Sequence, residues 1–205
     1  MTVVLKFGGS SVKNAKLIKT IFDIVTQKRQ QQKKIIVVFS ACGKTTSKLI
    51  NCVKLASSGN QNYLTILNSI NKQYFEIIDD LFKDNIEKKE FIKKKTLTNL
   101  NKISDILRGI YLIMENYKKT NDWLLSFGEE ITSTIIYNYF TMKLKGNIKY
   151  LDSREVIKTN SNYFNADVNI KLTINLIQNY LNKNNFDLLV VPGFIATSEL
   201  DDSTT

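Results

Sequence analysis

The chain has 205 residues, of which 43% are hydrophobic and 23% charged, and 29 basic against 19 acidic side chains give a net charge of +10. This composition predicts one globular domain, and neither a secretory signal nor an apolar run near the ~18 residues of a membrane span is present, so a cytoplasmic location is expected. The lysine excess is spread through every segment, which argues against a nucleic-acid partner, and the lack of histidine argues against a zinc site or a nucleophile–His dyad.

The first predicted element is a strand that leads into a glycine loop. Residues 3–7 form an apolar run whose only charged member is Lys6, and Gly8, Gly9 and two hydroxyl residues follow before a helical pattern starts at about Asn14. Glycine lets backbone N–H groups approach phosphate oxygens, and a helix N-terminus and a lysine both attract anions. The segment therefore predicts an anion site. An ordinary strand-to-helix turn is the alternative, since neither Walker A nor G-x-G-x-x-G spacing occurs.

A second strand and loop follow the first helix. Ile35–Phe39 is a continuous apolar run typical of a buried parallel strand, and it leads into the hydroxyl-rich loop 40–47 and a further helical pattern. Because the carboxyl ends of parallel strands lie at one edge of a sheet, we expect the two loops to meet there. Cys42 and Cys52 are predicted to be reduced and partly buried.

The middle of the chain is helical in pattern. Residues 62–117 contain no proline, and their apolar residues recur at three- and four-residue steps, which predicts a helical insertion over about 60–120 that serves as scaffold. Trp123–Glu130 is predicted to open the next helix. Acidic residues are favourable at a helix start, so a structural role is expected for Glu130.

The last third of the chain alternates strands with a helix. Strands are predicted at 147–151 and 186–191, with a helix between them, and a turn over 192–196 leads into a polar tail. The whole pattern predicts an α/β fold with an open, mainly parallel sheet between helices in three layers.

Several separated segments resemble aspartokinases, members of the amino-acid-kinase family. The resemblance covers essentially the whole chain, includes Asp152 and Arg154 as an Asp-x-Arg pattern, and is greatest to the kinase part of fused aspartokinase–homoserine dehydrogenases. It implies the family's three-layer αβα fold. The segments that carry it are Lys6-Phe7-Gly8-Gly9-Ser10-Ser11, Ser40-Ala41 with Thr46, Ser126-Phe127-Gly128-Glu129, and Val190-Val191-Pro192-Gly193-Phe194-Ile195-Ala196.

The resemblance implies ATP-dependent phosphorylation of the β-carboxylate of L-aspartate to 4-phospho-L-aspartate, the first step of lysine, threonine and methionine biosynthesis. ATP would enter with Mg²⁺, and no metal ligand is expected in the chain itself. Lys6 would be the catalytic residue that stabilises the transferring phosphoryl group. The phosphate-binding residues implied are Lys6, Phe7, Gly8, Gly9 and Ser10.

The same resemblance implies a site for L-aspartate. Glu129 would pair with the α-ammonium of the substrate, and Phe194 would pack against it. The alignment of the second loop can shift by one residue, which leaves Thr45 and Thr46 as alternatives. The substrate-binding residues implied are Ser40, Thr45, Thr46, Glu129 and Phe194.

The chain departs from the family pattern at Thr205. Family members continue into Leu-Gly-Arg-Gly-Gly-Ser-Asp, which supplies an arginine for the α-carboxylate and an aspartate that organises the active-site lysine. We therefore expect residues 1–205 to be the N-terminal part of a kinase domain, with a fold incomplete at its C-terminus and no regulatory domain. We also expect little or no aspartate phosphorylation by the chain alone.

Other functions stay open at this point. The chain can be a catalytically inactive fragment or an interaction module of the same fold, with a homo-oligomer or a complementary C-terminal segment as its partner. It can also be a sibling kinase that acts on glutamate, N-acetylglutamate or UMP. The Ser-Phe-Gly-Glu segment and the long helical insertion argue against these siblings. No membrane partner is expected.

Overall fold

Apolar runs of the sequence form the strands of a parallel sheet. The computed structural model describes residues 2–31 and 34–205. Its sheet of four parallel strands has the order β1-β2-β5-β3, and its smaller sheet has the order β4-β6-β7. The strands are β1 (Thr2–Phe7), β2 (Lys34–Phe39), β3 (Ile148–Tyr150), β4 (Lys158–Thr159), β5 (Leu188–Pro192), β6 (Ala196–Ser198) and β7 (Ser203–Thr204).

In residues 2–31 and 34–205, six α-helices surround the sheets. A 3₁₀ turn over Gly9–Val12 connects β1 to the first of them, and a second over Ser153–Glu155 follows β3. Among the helices in the described ranges, none has the length and hydropathy needed to cross a membrane. The helices are α1 (Ala15–Gln31), α2 (Thr45–Ser57), α3 (Tyr63–Leu81), α4 (Ile86–Ile113), α5 (Lys118–Lys143) and α6 (Ile170–Lys183).

The large sheet separates two hydrophobic cores. On β2, Ile35, Val37 and Phe39 face the larger core, which helices α1 to α5 complete. Ile36 and Val38 point the other way, into a smaller core formed with α6. Alternate side chains of one strand thus contact helices on both faces of the sheet. This arrangement confirms the predicted three-layer α/β fold.

The predicted helical insertion contains α3 and α4. Their buried side chains, including Tyr74 and Leu107, belong to the same core as the sheet. Cys42 and Cys52 are free thiols, and both are buried more completely than the sequence predicts. Burial raises the pKa of Cys42 to about 12 and that of Cys52 to about 11, so both stay protonated at neutral pH.

One predicted boundary is wrong, and the sequence did not predict the short strands near the end of the chain. Helix α5 begins at Lys118, before the predicted start in 123–130, so Glu129 and Glu130 lie in its interior and the argument from helix-end charge does not apply to them. The polar tail is also structured, because β6 and β7 pair as an antiparallel hairpin and β6 pairs in parallel with β4. Backbone pairing, and not an apolar pattern, forms these short strands.

The loops after β1 and β2 are in direct backbone contact at the carboxyl edge of the sheet. The Ser40 N–H donates to the Phe7 carbonyl over 3.1 Å, and the Gly43 N–H donates to the Gly9 carbonyl over 2.8 Å. A Cβ on Gly9 would lie 2.5 Å from the Gly43 carbonyl oxygen and 2.7 Å from that of Ala41. Residue 9 must therefore be glycine for the two loops to pack as they do.

This contact predicts unequal effects of alanine at the two neighbouring glycines. Gly9→Ala should lower the free energy of unfolding by about 1–3 kcal/mol, because the new Cβ must push two carbonyls aside. Gly8→Ala is the matched control: its Cβ meets nothing within 4 Å and its φ of −74° suits any residue, so a change within about 0.5 kcal/mol is expected. Urea unfolding of both variants checks this, and equal stabilities would contradict it.

Candidate active site

The carboxyl edge of the large sheet holds a cavity of about 330 Å³. Loops after β1, β2 and β5 contribute to it, together with the first turn of α2 and the interior of α5. Ligands of open α/β sheets bind at this edge, outside the carboxyl ends of the strands. The residues that line the cavity are Lys6, Gly9, Ser40, Ala41, Gly43, Thr46, Glu129 and Phe194.

Glu129 is the buried charge of the cavity. It is 2% exposed, and its Oε1 accepts a hydrogen bond from the Ala41 N–H over 3.2 Å. Its second oxygen, Oε2, is buried and has no hydrogen-bond partner among the described residues. Burial raises the pKa of Glu129 to about 7, and the Ala41 amide opposes this shift. The carboxyl group therefore titrates near neutral pH and has room for one more donor.

Helix α5 approaches the second loop closely because Gly128 has no side chain. A Cβ at this position would lie 3.0 Å from the Cβ of Ala41. One turn further on, the Thr132 hydroxyl accepts a hydrogen bond from the Cys42 N–H over 2.9 Å. The Tyr74 hydroxyl of α3 donates to the Gly128 carbonyl over 3.1 Å. The helical insertion thus supports the loop from behind, in agreement with its predicted scaffold role.

The turn after β5 brings Phe194 to the mouth of the cavity. The Gly193 N–H donates to the Phe39 carbonyl over 2.8 Å, and the Ile195 N–H donates back to the Gly193 carbonyl over 2.8 Å. Phe194 lies between them with a φ of +66° and is 55% exposed. A phenylalanine in this left-handed region is strained, and such strain is concentrated at functional sites.

Lys6 and Thr46 line the same cavity as Glu129. Lys6 is exposed at the end of β1 and forms no salt bridge among the described residues. Thr46 is half-buried in the first turn of α2. Thr45 is buried, and its hydroxyl donates to the Cys42 carbonyl over 2.6 Å. Of the two alternatives, the geometry therefore places Thr46 at the cavity and uses Thr45 to close the loop.

Six of the predicted site residues line the cavity and four do not. Phe7 packs against the larger core and stacks on Phe39, so only its backbone is near the loop. Gly8 precedes the 3₁₀ turn and Ser10 lies within it; both are exposed and are outside the cavity lining. Thr45 is the fourth. The roles that the resemblance implies for all ten residues stay predictions.

Sequence reasoning missed Gly43 as a site residue. Its φ of +59° is in the left-handed region, and its N–H contacts Gly9 across the two loops. A glycine between Cys42 and Lys44 in a hydroxyl-rich loop was the available signal, because a turn with positive φ favours glycine.

Arg154 forms a separate ion-pair network beside the site. Its guanidinium contacts the Asp152 carboxylate and lies 2.8 Å from Oε2 of Glu130, whereas Oε1 of Glu130 accepts a hydrogen bond from the Asn99 side chain over 3.0 Å. The Arg154 carbonyl accepts from the Thr197 hydroxyl of β6 over 2.9 Å. Glu130 thus has the structural role that was predicted for it, although for a different physical reason.

A larger cavity, of about 580 Å³, lies at the opposite edge of the sheet. Its charged side chains already have contacts: Arg29 donates to the Lys145 carbonyl, Asp187 accepts from the Asn147 N–H, and the Lys34 ammonium lies 5.4 Å from the centre of the Phe186 ring. It also lies at the amino ends of the strands, where ligands of such sheets rarely bind. Chemistry and position therefore favour the smaller cavity.

The charges and donors of the smaller cavity suit a phosphorylated anion on one side and an ammonium on the other. Lys6 and the start of the 3₁₀ turn are electropositive, since the first N–H groups of a helical turn have no partner within it. Glu129 is the negative counterpart, and Ser40 and Thr46 supply hydroxyls. No group of three or more His, Cys, Asp or Glu side chains in the described ranges is placed to hold a metal ion.

The chain is similar in sequence to known aspartokinases. Aspartokinase 1, chloroplastic, of Arabidopsis thaliana is 29% identical over 170 residues, which cover 82% of this chain and 28% of that protein. A bifunctional aspartokinase/homoserine dehydrogenase of Buchnera aphidicola is 26% identical over 196 residues, covering 94% and 23%. The chain thus spans less than a third of the length of either relative.

Solved structures show the same fold. E. coli aspartokinase III in complex with aspartate and ADP superposes with a TM-score of 0.83 at 24% identity, over 100% of this chain and 43% of that one. Its complex with lysine and aspartate gives 0.82 at 23% identity. The profile of the amino acid kinase family matches residues 1–203. With nearly its whole length matched, the chain belongs to the amino acid kinase family.

Proposed function

We propose that this chain forms the acceptor and phosphoryl-transfer side of an aspartate kinase, which transfers the γ-phosphoryl group of ATP to the β-carboxylate of L-aspartate. The observation that carries the proposal is the Glu129 carboxylate, buried, with one oxygen unpartnered, in the same cavity as Lys6. The names of the relatives supply the substrate class.

The acceptor end of the cavity is suited to an α-amino acid. An ammonium ion donates to the free oxygen of Glu129 and compensates the charge that burial disfavours. N-acetylglutamate and UMP have no ammonium to offer, which makes them weaker candidates. L-glutamate has one and differs from L-aspartate by a single methylene, so it is the competitor that a test must include.

The phosphoryl end of the cavity is suited to charge neutralisation. A β-carboxylate oxygen attacks the γ-phosphorus in line, the bond to the β,γ-bridging oxygen breaks, and ADP leaves with 4-phospho-L-aspartate as the other product. We propose that the Lys6 ammonium, which lines the same cavity as Glu129, offsets negative charge on the transferring group. We propose that Mg²⁺ enters bound to the phosphates of ATP.

An interaction module of the same fold is the second candidate. It would have the cavity but no affinity for an amino acid, and its partner would be another copy or a complementary C-terminal segment. Ligand binding separates the two functions without requiring turnover. A hydroxamate assay with ATP, aspartate and hydroxylamine then tests phosphoryl transfer itself. The low turnover expected of the chain alone stays a prediction.

Binding of an acceptor and of an analogue without an ammonium group tests the role proposed for Glu129. By calorimetry the chain should bind L-aspartate and bind succinate, which lacks the ammonium, at least about 30-fold more weakly, because a buried charge pair is worth 2 kcal/mol or more. Glu129→Gln should abolish this difference. Glu130→Gln is the matched control, since the neighbouring side chain contacts Arg154 and lies outside the cavity lining.

Two results would contradict the proposal. Equal binding of aspartate and succinate would show that no ammonium site exists, and tighter binding of L-glutamate would assign the chain to a sibling kinase. Lack of any amino-acid binding in a folded chain would favour the interaction module.

The affinity for L-aspartate is predicted to depend on pH. With its pKa raised to about 7, free Glu129 is largely protonated at pH 6 and ionised at pH 8, whereas an ammonium binds only the ionised form. Affinity for L-aspartate should therefore rise about tenfold from pH 6 to pH 8 and then level off. Below pH 7, binding should release a proton.

Calorimetry in buffers of different ionisation enthalpy measures that proton directly. Between pH 6 and pH 8 the side-chain carboxyl of L-aspartate stays ionised. The ammonium of a free amino acid stays protonated there because its own α-carboxylate stabilises the positive charge, so the ligand adds no titration of its own. Glu129→Gln should bind with no pH dependence. A flat profile for the unmodified chain would place the Glu129 pKa away from neutrality and refute this mechanism of recognition.

A further inference from the structure

Asp122 is a buried carboxylate that the proposed reaction does not use. It is 0% exposed and accepts three hydrogen bonds. Oδ2 accepts from the Phe164 N–H over 2.9 Å and from the Thr205 N–H over 3.2 Å, and Oδ1 accepts from the Thr205 hydroxyl over 2.7 Å. A carboxylate is stable in the interior only when donors surround it. Because Asp122 belongs to α5, its hydrogen bonds fix Phe164 and Thr205 to that helix.

The hydrogen bonds of Thr205 reach the mouth of the cavity through the β6–β7 hairpin. Thr205 directly follows β7, in which Thr204 pairs with Ala196 of β6. Ala196 is two residues after Phe194, in the turn that closes the cavity. The path from Asp122 to Phe194 thus consists of hydrogen bonds, the paired strands β6 and β7, and the two residues that precede Ala196.

Other contacts of the hairpin are weaker or come from elsewhere. Lys119 pairs with Asp202 over 2.8 Å, but the lysine side chain is 59% exposed, and exposed ion pairs contribute little. The Thr159 and Thr204 hydroxyls lie 2.8 Å apart and join the hairpin to β4. Asp122 is therefore the buried contact that fixes the hairpin to α5.

Asp122 and Glu129 lie on one face of that helix. Seven residues make almost two full turns, so the two side chains project in nearly the same direction, roughly 10 Å apart along the axis. One face of α5 thus carries both the residue proposed to bind the substrate ammonium and the residue that fixes the turn bearing Phe194.

We propose that Asp122 is a positioning residue of the acceptor site, which sets the location of Phe194 relative to Glu129 by holding the β6–β7 hairpin against α5. The strained φ of Phe194 requires fixed surroundings. Phe39 and Ser153 hold its two neighbours, through the Gly193 N–H and the Ile195 carbonyl, and the hairpin fixes the chain that continues from Ala196. The effect on substrate rests on the proposed function, whereas the effect on the hairpin does not.

Hydrogen exchange measured by mass spectrometry tests the structural half. Asp122→Ala should speed exchange in peptides from 194–205 about tenfold or more, because the hairpin loses its hold on α5. Asp122→Asn should restore slow exchange, since its Oδ1 accepts both N–H groups and its amide donates to the Thr205 hydroxyl. Thr205→Val is a milder change that should give a smaller increase in exchange. It provides the test if Asp122→Ala fails to fold.

Asn138→Ala is the matched control for lost stability. Asn138 is also buried on α5, but its side chain donates to the Thr134 carbonyl of the same helix. It should leave exchange in 194–205 unchanged. Equal exchange in the Asp122→Ala and Asn138→Ala variants, or an unchanged hairpin in both Asp122→Ala and Thr205→Val, would overturn the proposal.

Binding of L-aspartate tests the functional half. Asp122→Ala should raise its Kd about fivefold or more and leave the proton release at Glu129 in place, and Asp122→Asn should bind normally. A mobile hairpin with unchanged affinity would overturn the positioning role. If the unmodified chain binds no aspartate, the proposed function fails, and the exchange result still decides whether Asp122 holds the hairpin.

Discussion

The burial of the Glu129 carboxylate is the constraint on which the candidate site depends. A buried carboxylate needs donors, and the donor that the chain supplies is the Ala41 N–H in the loop after β2. That bond requires α5 to lie against the loop, which a side chain at 128 would oppose, since its Cβ would lie 3.0 Å from that of Ala41. Among the described residues, Oε2 of Glu129 has no hydrogen-bond partner. The fold thus leaves a buried carboxylate oxygen without a donor. In the proposed function, the ammonium group of the ligand donates to that oxygen, and the affinity for the ligand follows from this bond.

Close backbone contact extends the same constraint to the phosphoryl side. The loop after β2, whose Ala41 N–H donates to Glu129, also donates from the Gly43 N–H to the Gly9 carbonyl. The glycines of both loops are therefore fixed relative to one carboxylate. Because the core behind the loops is continuous with α3, the helices of the insertion restrict the site without lining it. Rigidity of this kind favours charge stabilisation, which requires groups to be in place before the charge develops.

The sequence predicted the elements that hydrophobic pattern determines. Strands β1, β2 and β5 and the helices were visible because their apolar residues recur with a definite period. The strands β4, β6 and β7 were not, since two or three polar residues such as Lys158 and Thr159 become a strand only through their pairing. The start of α5 was missed for a related reason: its first residues are polar, and Asp122 is buried by contacts with distant donors.

The site was predicted to a similar degree. Lys6, Gly9 and Glu129 belong to short motifs, and parallel strands bring such motifs to one edge. The choice between Thr45 and Thr46 depended on which hydroxyl the Cys42 carbonyl accepts from, which no motif reveals.

The net charge of the chain and the charge of the site act at different ranges. An excess of ten positive charges attracts anions such as ATP over the whole surface, but salt screens this attraction beyond about 8–10 Å. The Glu129 carboxylate is shielded from salt by its burial, so the ammonium recognition proposed for it does not depend on the net charge of the chain. In the proposed function, attraction of the nucleotide and selection of the acceptor thus have separate physical origins. A change in surface lysines should therefore alter the first and leave the second intact.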